Sequence, residues 1–313
     1  MSAQPSAPAR SKRPWRIAAA FAVLIGLAGY LVVQYVTGGP GAPRCTLRAE
    51  AGEEPYELSP EQAANAATIS AVASSRGLPE RAVTIALATA MQESGLRNID
   101  FGDRDSVGLF QQRPSQDWGT VKQIMDPVYS AGEFYTHLAN VPGYSRLPLT
   151  VAAQKVQRSG FPQAYAKHET DAARLTGALT GRDQHAMTCS QSRPVDGKAG
   201  GGAQVREKLV REFGREVLPR TDGAGGRGAA AERKVTVPVR PGGAVAGGGA
   251  ARRGWELATW ALAHSAELRI EQISYAGRMW TAADSGKGWQ QEPAGSSGGS
   301  GASSGDVRII TAQ

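Results

Sequence analysis

From Ile17 to Val33 the chain runs 17 residues without a charged or strongly polar side chain, and Gln34, Tyr35 and Val36 bring it to bilayer-spanning length. The run predicts a membrane helix over 17–36. Arg10, Lys12, Arg13 and Arg16 precede it and no basic residue follows until Arg44, so the positive-inside bias places the N-terminus in the cytoplasm and the rest outside. A cleaved signal peptide would need a shorter apolar core and a small-residue cleavage site, which TGGPGAPRC does not offer. Beyond it the apolar positions take a helical period. Ser59-Pro60-Glu61-Gln62 predicts a capped helix start, Gly77 a stop, and Pro79-Glu80 a second helix, AVTIALATAMQES, ended by Gly95. Further helices are predicted over 126–139, 149–158 and 161–178.

After Cys189 the composition changes. Gly-rich tracts at 197–202, 223–228 and 242–249 have little to bury and predict a mobile connector, with Val205–Leu218 as a short exposed helix within it. Order returns near Arg253, with a Trp- and Ala-rich helix over 254–267, strands IEQISY and RMWTA around a turn at Ala276-Gly277, and a last strand DVRIIT. That unit is too small for much of a core of its own, so it is expected to dock on something. Trp255, Trp260, Trp280 and Trp289 would serve either as a binding surface or as core filler.

The net charge of +7 invites a nucleic-acid reading until it is divided along the chain. Residues 1–43 carry four basic and no acidic side chains, 44–192 carry 14 and 16, 193–253 carry 13 and 6, and 254–313 carry 4 and 6. The basic surplus lies in the tail and the connector, while both ordered parts are slightly acidic, so no nucleic-acid partner is expected. The connector reads first as a solvated spacer, with anionic lipid or wall polymer as alternative contacts. Two cysteines and four histidines without a close cluster predict no metal and no cofactor. In an exported chain Cys45 and Cys189 would pair, closing a long loop.

The chemistry concentrates in MQESGLRNIDFGDRDSVGLFQQRP, Met91–Pro114. Glu93 sits in the last turn of an apolar helix, where desolvation and the negative end of the helix dipole both favour the protonated carboxyl, the state a general acid needs. A polar loop carrying Asp100, Asp103 and Asp105 follows, then Gly108-Leu109-Phe110-Gln111. Glu93-Ser94, with Gly-Leu-Phe-Gln beginning 15 residues after the Glu, resembles the soluble lytic transglycosylases and the related goose-type lysozymes. Asp126-Pro127 to Gly132 and Tyr135 also resemble that family's next helix. Where the family carries Tyr-Asn-Ala-Gly, this chain has Val156-Gln157-Arg158-Ser159-Gly160, without the tyrosine or the asparagine.

The resemblance implies peptidoglycan as substrate, cleaved at the β-1,4 bond between N-acetylmuramic acid and N-acetylglucosamine with Glu93 as acid/base. It implies either closure of a 1,6-anhydro ring by the muramyl 6-hydroxyl or hydrolysis assisted by a second carboxylate, for which Asp100, Asp103 and Asp105 are the candidates and turn-forming roles the alternative. Ser94, Gly108, Leu109, Phe110 and Gln111 would bind substrate, the last three on the cleft floor with Phe110 either a sugar platform or plain core, and Trp118 and Tyr144 would stack on sugars or pack in the core. The other reading is a non-catalytic wall-binding or scaffold protein with a degenerate cleft, its protein partner unknown. The expected fold is mainly α: a cytoplasmic tail over 1–16, one transmembrane helix over 17–36, a lysozyme-like helical domain over 45–190, a linker over 191–252 and a small α+β unit over 253–313.

Overall fold

Ser59 and Gln62 hold the first helix by satisfying each other's backbone. The Gln62 N–H donates to Ser59 Oγ at 3.2 Å and the Ser59 N–H to Gln62 Oε1 at 2.8 Å, the reciprocal cap the sequence spacing predicts. This computed structural model describes residues 42–48, 54–159, 162–191, 200–219, 233–240, 249–293 and 305–313. Helix α1 (Pro60–Ser75) runs from that cap, and α2 (Glu80–Ser94) ends on Gly95 in the left-handed region at φ 62°. Every residue from Ala82 to Met91 is buried, so α2 is enclosed on all sides, which its alanines and threonines permit because neighbouring backbones can approach closely. Around it stand α3 (Val121–Ile124), α4 (Pro127–Ala139), α5 (Leu149–Gln157) and α6 (Glu169–Leu179). The helix expected over 161–178 divides into a 3-10 segment over 162–168 and α6.

Strands β1 (Arg44–Leu47), β2 (Tyr56–Leu58) and β3 (Met187–Ser190) form a three-stranded sheet in the order β2-β1-β3, both pairings antiparallel. Cys45 faces Cys189 across β1 and β3, and the two are disulfide-bonded. The bridge ties the two ends of the helical region together, 144 residues apart in the chain.

The remaining elements are α7 (Gly202–Phe213), β4 (Lys234–Val237), α8 (Ala250–Ala263), β5 (Ile270–Tyr275), β6 (Arg278–Thr281), β7 (Gln290–Gln291) and β8 (Val307–Thr311). The strands form an antiparallel sheet in the order β4-β8-β5-β6-β7, with α8 packed on it. Ala42–Gln313 is one compact unit.

Three expectations are corrected. The mainly α fold class fails: the chain is about 50% helical and 15% strand, with two small sheets, an α+β architecture. Strands of three to five residues whose partners lie far away in sequence, as β1 and β3 do, leave too short an alternation to read. The segment 191–252 is not merely a spacer, because it supplies α7 and the edge strand β4. The helix expected to be exposed is half-buried, since Val205, Leu209 and Phe213 fall on one stripe against α1 while the alternating charges occupy the other faces. The tail over 1–16, the membrane helix over 17–36 and most of the Gly-rich tracts lie outside the described residues. Among the described residues no helix is long and apolar enough to cross a membrane.

The last unit docks, as its size required. Trp255, Trp260 and Trp280 are buried, so they are core rather than a binding face, and Trp289 donates its indole N–H to the Met187 carbonyl at 3.0 Å. Within the interface, Thr68 and Trp260 donate to the two oxygens of buried Glu212 at 2.9 and 2.7 Å.

Candidate active site

Glu93 is carried on the last turn of α2 at the wall of a cleft of about 1160 Å³, the other lining residues coming from 103–118, His137 and 155–159. The turn that forms the floor follows from local chemistry. Val107 and Gln112 pair as an antiparallel bridge, and Gly108 between them takes φ +80°, where a Cβ would lie 2.8 Å from the Ile124 carbonyl. Ser94 then ties the turn to the helix, donating from Oγ to the Leu109 carbonyl at 2.7 Å. Ser94 and Gly108 therefore set the spacing between Glu93 and the floor.

The Leu109 side chain is not on the floor but fully buried beneath it, and Phe110 takes the core alternative, buried beside it. Phe110 stacks on Phe134 at 4.7 Å, and its contribution to the site is its carbonyl, which accepts the Gln157 side-chain amide at 2.7 Å. Gln111 does line the cleft; its amide donates to the Gly108 carbonyl at 3.2 Å, so its rotamer is held by its own turn. Trp118 lines the cleft with its ring 4.2 Å from that of His137, whereas Tyr144 is not among the lining residues.

The three aspartates separate. Asp105 accepts from Arg113 Nε at 2.9 Å and from the Ser115 backbone and hydroxyl at 2.8 and 3.0 Å, which holds its carboxyl well below the usual carboxylate range. It is an anchor for the loop. Asp100 is exposed and is not part of the cleft lining. Asp103 lines the cleft with its side chain 90% exposed, 4.0 Å from Arg104.

Two partners of Glu93 come from elsewhere in the chain, Tyr165 from a segment without a motif and Gln157 from the segment that stands where the resembled family carries Tyr-Asn-Ala-Gly. Tyr165, on the 3-10 segment, is fully buried and donates its phenol to Glu93 Oε1 at 2.7 Å. Gln157 also hydrogen-bonds the Glu93 carboxyl. Burial raises the Glu93 pKa, and the hydrogen bonds from Tyr165 and Gln157 act against that rise without cancelling it. Burial together with the neighbouring carboxyl keeps the Tyr165 phenol far above its ordinary range, so it remains a proton-bearing donor. The chain thus holds a half-buried carboxyl whose affinity for its proton is raised by burial, a neutral buried donor hydrogen-bonded to it from behind, and the open cleft in front of the carboxyl alone. Among the described residues no group of three or more His, Cys, Asp and Glu side chains is placed to hold a metal ion.

A family model described as VldE, C-terminal domain matches residues 203–300, from within α7 through β7. That segment is under half of the chain and contains none of the cleft residues. No curated protein matches the chain.

Proposed function

We propose that this chain cleaves the glycan of peptidoglycan at the β-1,4 bond between N-acetylmuramic acid and N-acetylglucosamine, as a lytic transglycosylase with Glu93 as its single acid/base. The observation that carries the reading is Glu93 on the wall of a large open cleft, held from behind by buried Tyr165 at 2.7 Å and set in the motif whose spacing resembles the transglycosylases. Protonated Glu93 would give its proton to the glycosidic oxygen as the sugar gains oxocarbenium character. The carboxylate so formed accepts from Tyr165 and Gln157, which offset its charge in a partly desolvated site. It would then take the proton of the muramyl 6-hydroxyl as that oxygen attacks the anomeric carbon, closing the anhydro ring and restoring the acid.

A water-activating carboxylate has weaker support. Asp105 is committed to Arg113 and Ser115, Asp100 is outside the cleft lining, and Asp103 and Asp117, which do line it, are too exposed to hold a water in a fixed place. An extracytoplasmic location belongs to the same proposal. Its support is the Cys45–Cys189 disulfide and the apolar run over 17–36 behind four basic residues.

The test is to incubate the full-length chain, as wild type and as Glu93→Gln, with insoluble peptidoglycan and identify the released fragments by mass spectrometry. Anhydro-muramyl products from wild type alone are expected. Reducing-end products would replace the transglycosylase with a hydrolase. No release, with wall binding retained, would leave a wall-binding protein instead of an enzyme.

A further inference from the structure

Among the described residues two cations of the cleft have no acidic partner. Arg113 is paired with Asp105 at 2.9 Å, and Arg104 has Asp103 at 4.0 Å. Lys155 and Arg158, on the last turn and cap of α5, are both exposed, both line the cleft, and neither makes an ion pair among the described residues. Their placement follows from the helix: Leu149, Ala152, Ala153 and Val156 bury the opposite stripe, leaving the other face to the cleft.

The backbone supplies a second, independent observation. Arg158 caps α5 in the left-handed region at φ 52°, a position where glycine is unstrained and an arginine is not. The strain is held in place by its N–H donating to the Gln154 carbonyl at 2.8 Å and by the Gln154 side chain donating to the Ser159 carbonyl at 2.8 Å. A strained side-chain-bearing residue at the lip of a cleft points to a use for that side chain.

We propose that Lys155 and Arg158 form an anion subsite on the α5 wall of the cleft, which takes a carboxylate carried by the glycan strand; this rests on the peptidoglycan reading. The strand offers such groups on the muramyl lactate and on the stem peptide, whereas an N-acetylglucosamine oligomer has none. The subsite therefore selects muramyl-containing strands over neutral ones of equal length.

The test is equilibrium binding by calorimetry, with the full-length chain carrying Glu93→Gln to prevent turnover. Three probes are used: chitohexaose, glycan strands stripped of stems by an amidase, and stem-bearing strands. The anionic strands are expected to bind more tightly than chitohexaose. Adding Lys155→Gln and Arg158→Gln lowers that preference about five- to ten-fold, the scale of two exposed ion pairs, and high salt lowers it in the parent. If stripped strands keep the preference the muramyl lactate is the anion, and if they lose it the stem is; either outcome supports the subsite. Arg158→Gly gives a separate readout, because it should raise the thermal unfolding midpoint while weakening the preference. An unchanged preference in the double variant overturns the inference while leaving the peptidoglycan reading intact. If the parent binds none of the three probes, the peptidoglycan reading falls and the subsite falls with it.

Discussion

Replacing Tyr165 with phenylalanine removes the donor at the centre of the proposed chemistry, along with the phenol's hydrogen bond to Ser159. The ring is fully buried and the substitution keeps its packing, so the change at Glu93 is the loss of the 2.7 Å donor to Oε1. The protonated acid makes less use of that donor than the carboxylate that forms during bond cleavage. A hydrogen bond to a charged group contributes about 1.5–3 kcal/mol, so kcat/KM should fall about 10- to 150-fold. The pH profile carries the sign. The hydrogen bond lowers the Glu93 pKa against the dominant effect of burial, so removing it raises the pKa further. Activity requires the protonated acid and declines as pH rises through that value, so the alkaline limb of the variant should lie at higher pH than that of wild type while its plateau lies lower. Fragment release from peptidoglycan, followed across pH for both proteins, measures both quantities. A limb that moves to lower pH, or a plateau unchanged from wild type, would remove Tyr165 from the mechanism and leave it a packing residue.

Reduction of the Cys45–Cys189 bridge releases a loop closed over a sequence separation of 144, a loss of about 5 kcal/mol in the chain-entropy model. Urea unfolding of Cys45→Ser/Cys189→Ser should show a drop of that order, and a midpoint equal to wild type would refute the entropic account. A second stability test concerns buried Glu212, which faces His264, Lys208, Trp260 and Thr68, with Glu267 on the other side of His264 and held down to about 2 by it. Glu212 raises the pKa of His264 above its ordinary 6.5, and in return His264 lowers that of Glu212 below 4.5. Stability from His264 is present below 6.5 and lost as pH rises through its raised value; stability from Glu212 is present above 4.5 and lost as pH falls through its lowered value. Glu212→Gln should therefore cost about 3 kcal/mol near pH 5.5, where it leaves the buried imidazolium with the half-exposed Glu267 as its remaining carboxylate, and less at an alkaline pH where the imidazole is neutral. Equal losses at the two pH values in denaturant titrations would count against a charged pair.

What the sequence disclosed was what short-range rules control. The Ser59 cap, the Gly95 stop, and the boundaries of α4 and α5 within a residue all depend on neighbours a few positions away. Glu93 was legible for the same reason, since a carboxyl in the last turn of an apolar helix is a local pattern. Leu109 leaves the floor, and Phe110 takes its core alternative, because the Val107–Gln112 bridge makes so tight a turn that both apolar side chains point into the core, leaving Gln111 and the Phe110 carbonyl toward the site. Tyr165 was missed because its role depends on the 3-10 segment folding back on α2 across 72 positions. The one available signal was a tyrosine shortly after a segment in which the family's own tyrosine is absent. The stripe of Val205, Leu209 and Phe213 was present in the sequence too, and was outweighed by the surrounding glycine and charge.

The docking of the C-terminal elements bears on the site through α2. At its C-terminal end that helix is fixed by Ser94 on the Leu109 carbonyl and by Tyr165 on Glu93. At its N-terminal end Glu80 accepts from Thr180 at 3.1 Å, from Arg182, and from Arg252 in the first turn of α8, a favourable place for a carboxylate at a helix start. The approach of α8 is close enough that it depends on missing side chains: a Cβ on Gly181 would meet the Arg252 carbonyl at 2.1 Å, and one on Gly254 would meet the Tyr275 ring at 1.9 Å. The elements from α7 onward, which include the match to the VldE C-terminal domain, are thus built into the support of the helix that carries Glu93. A boundary drawn at residue 190 would divide one compact unit. Arg252 on Glu80 is thus a direct tie from the C-terminal elements to the first turn of the helix that carries Glu93, although those elements contribute no residue to the cleft's lining.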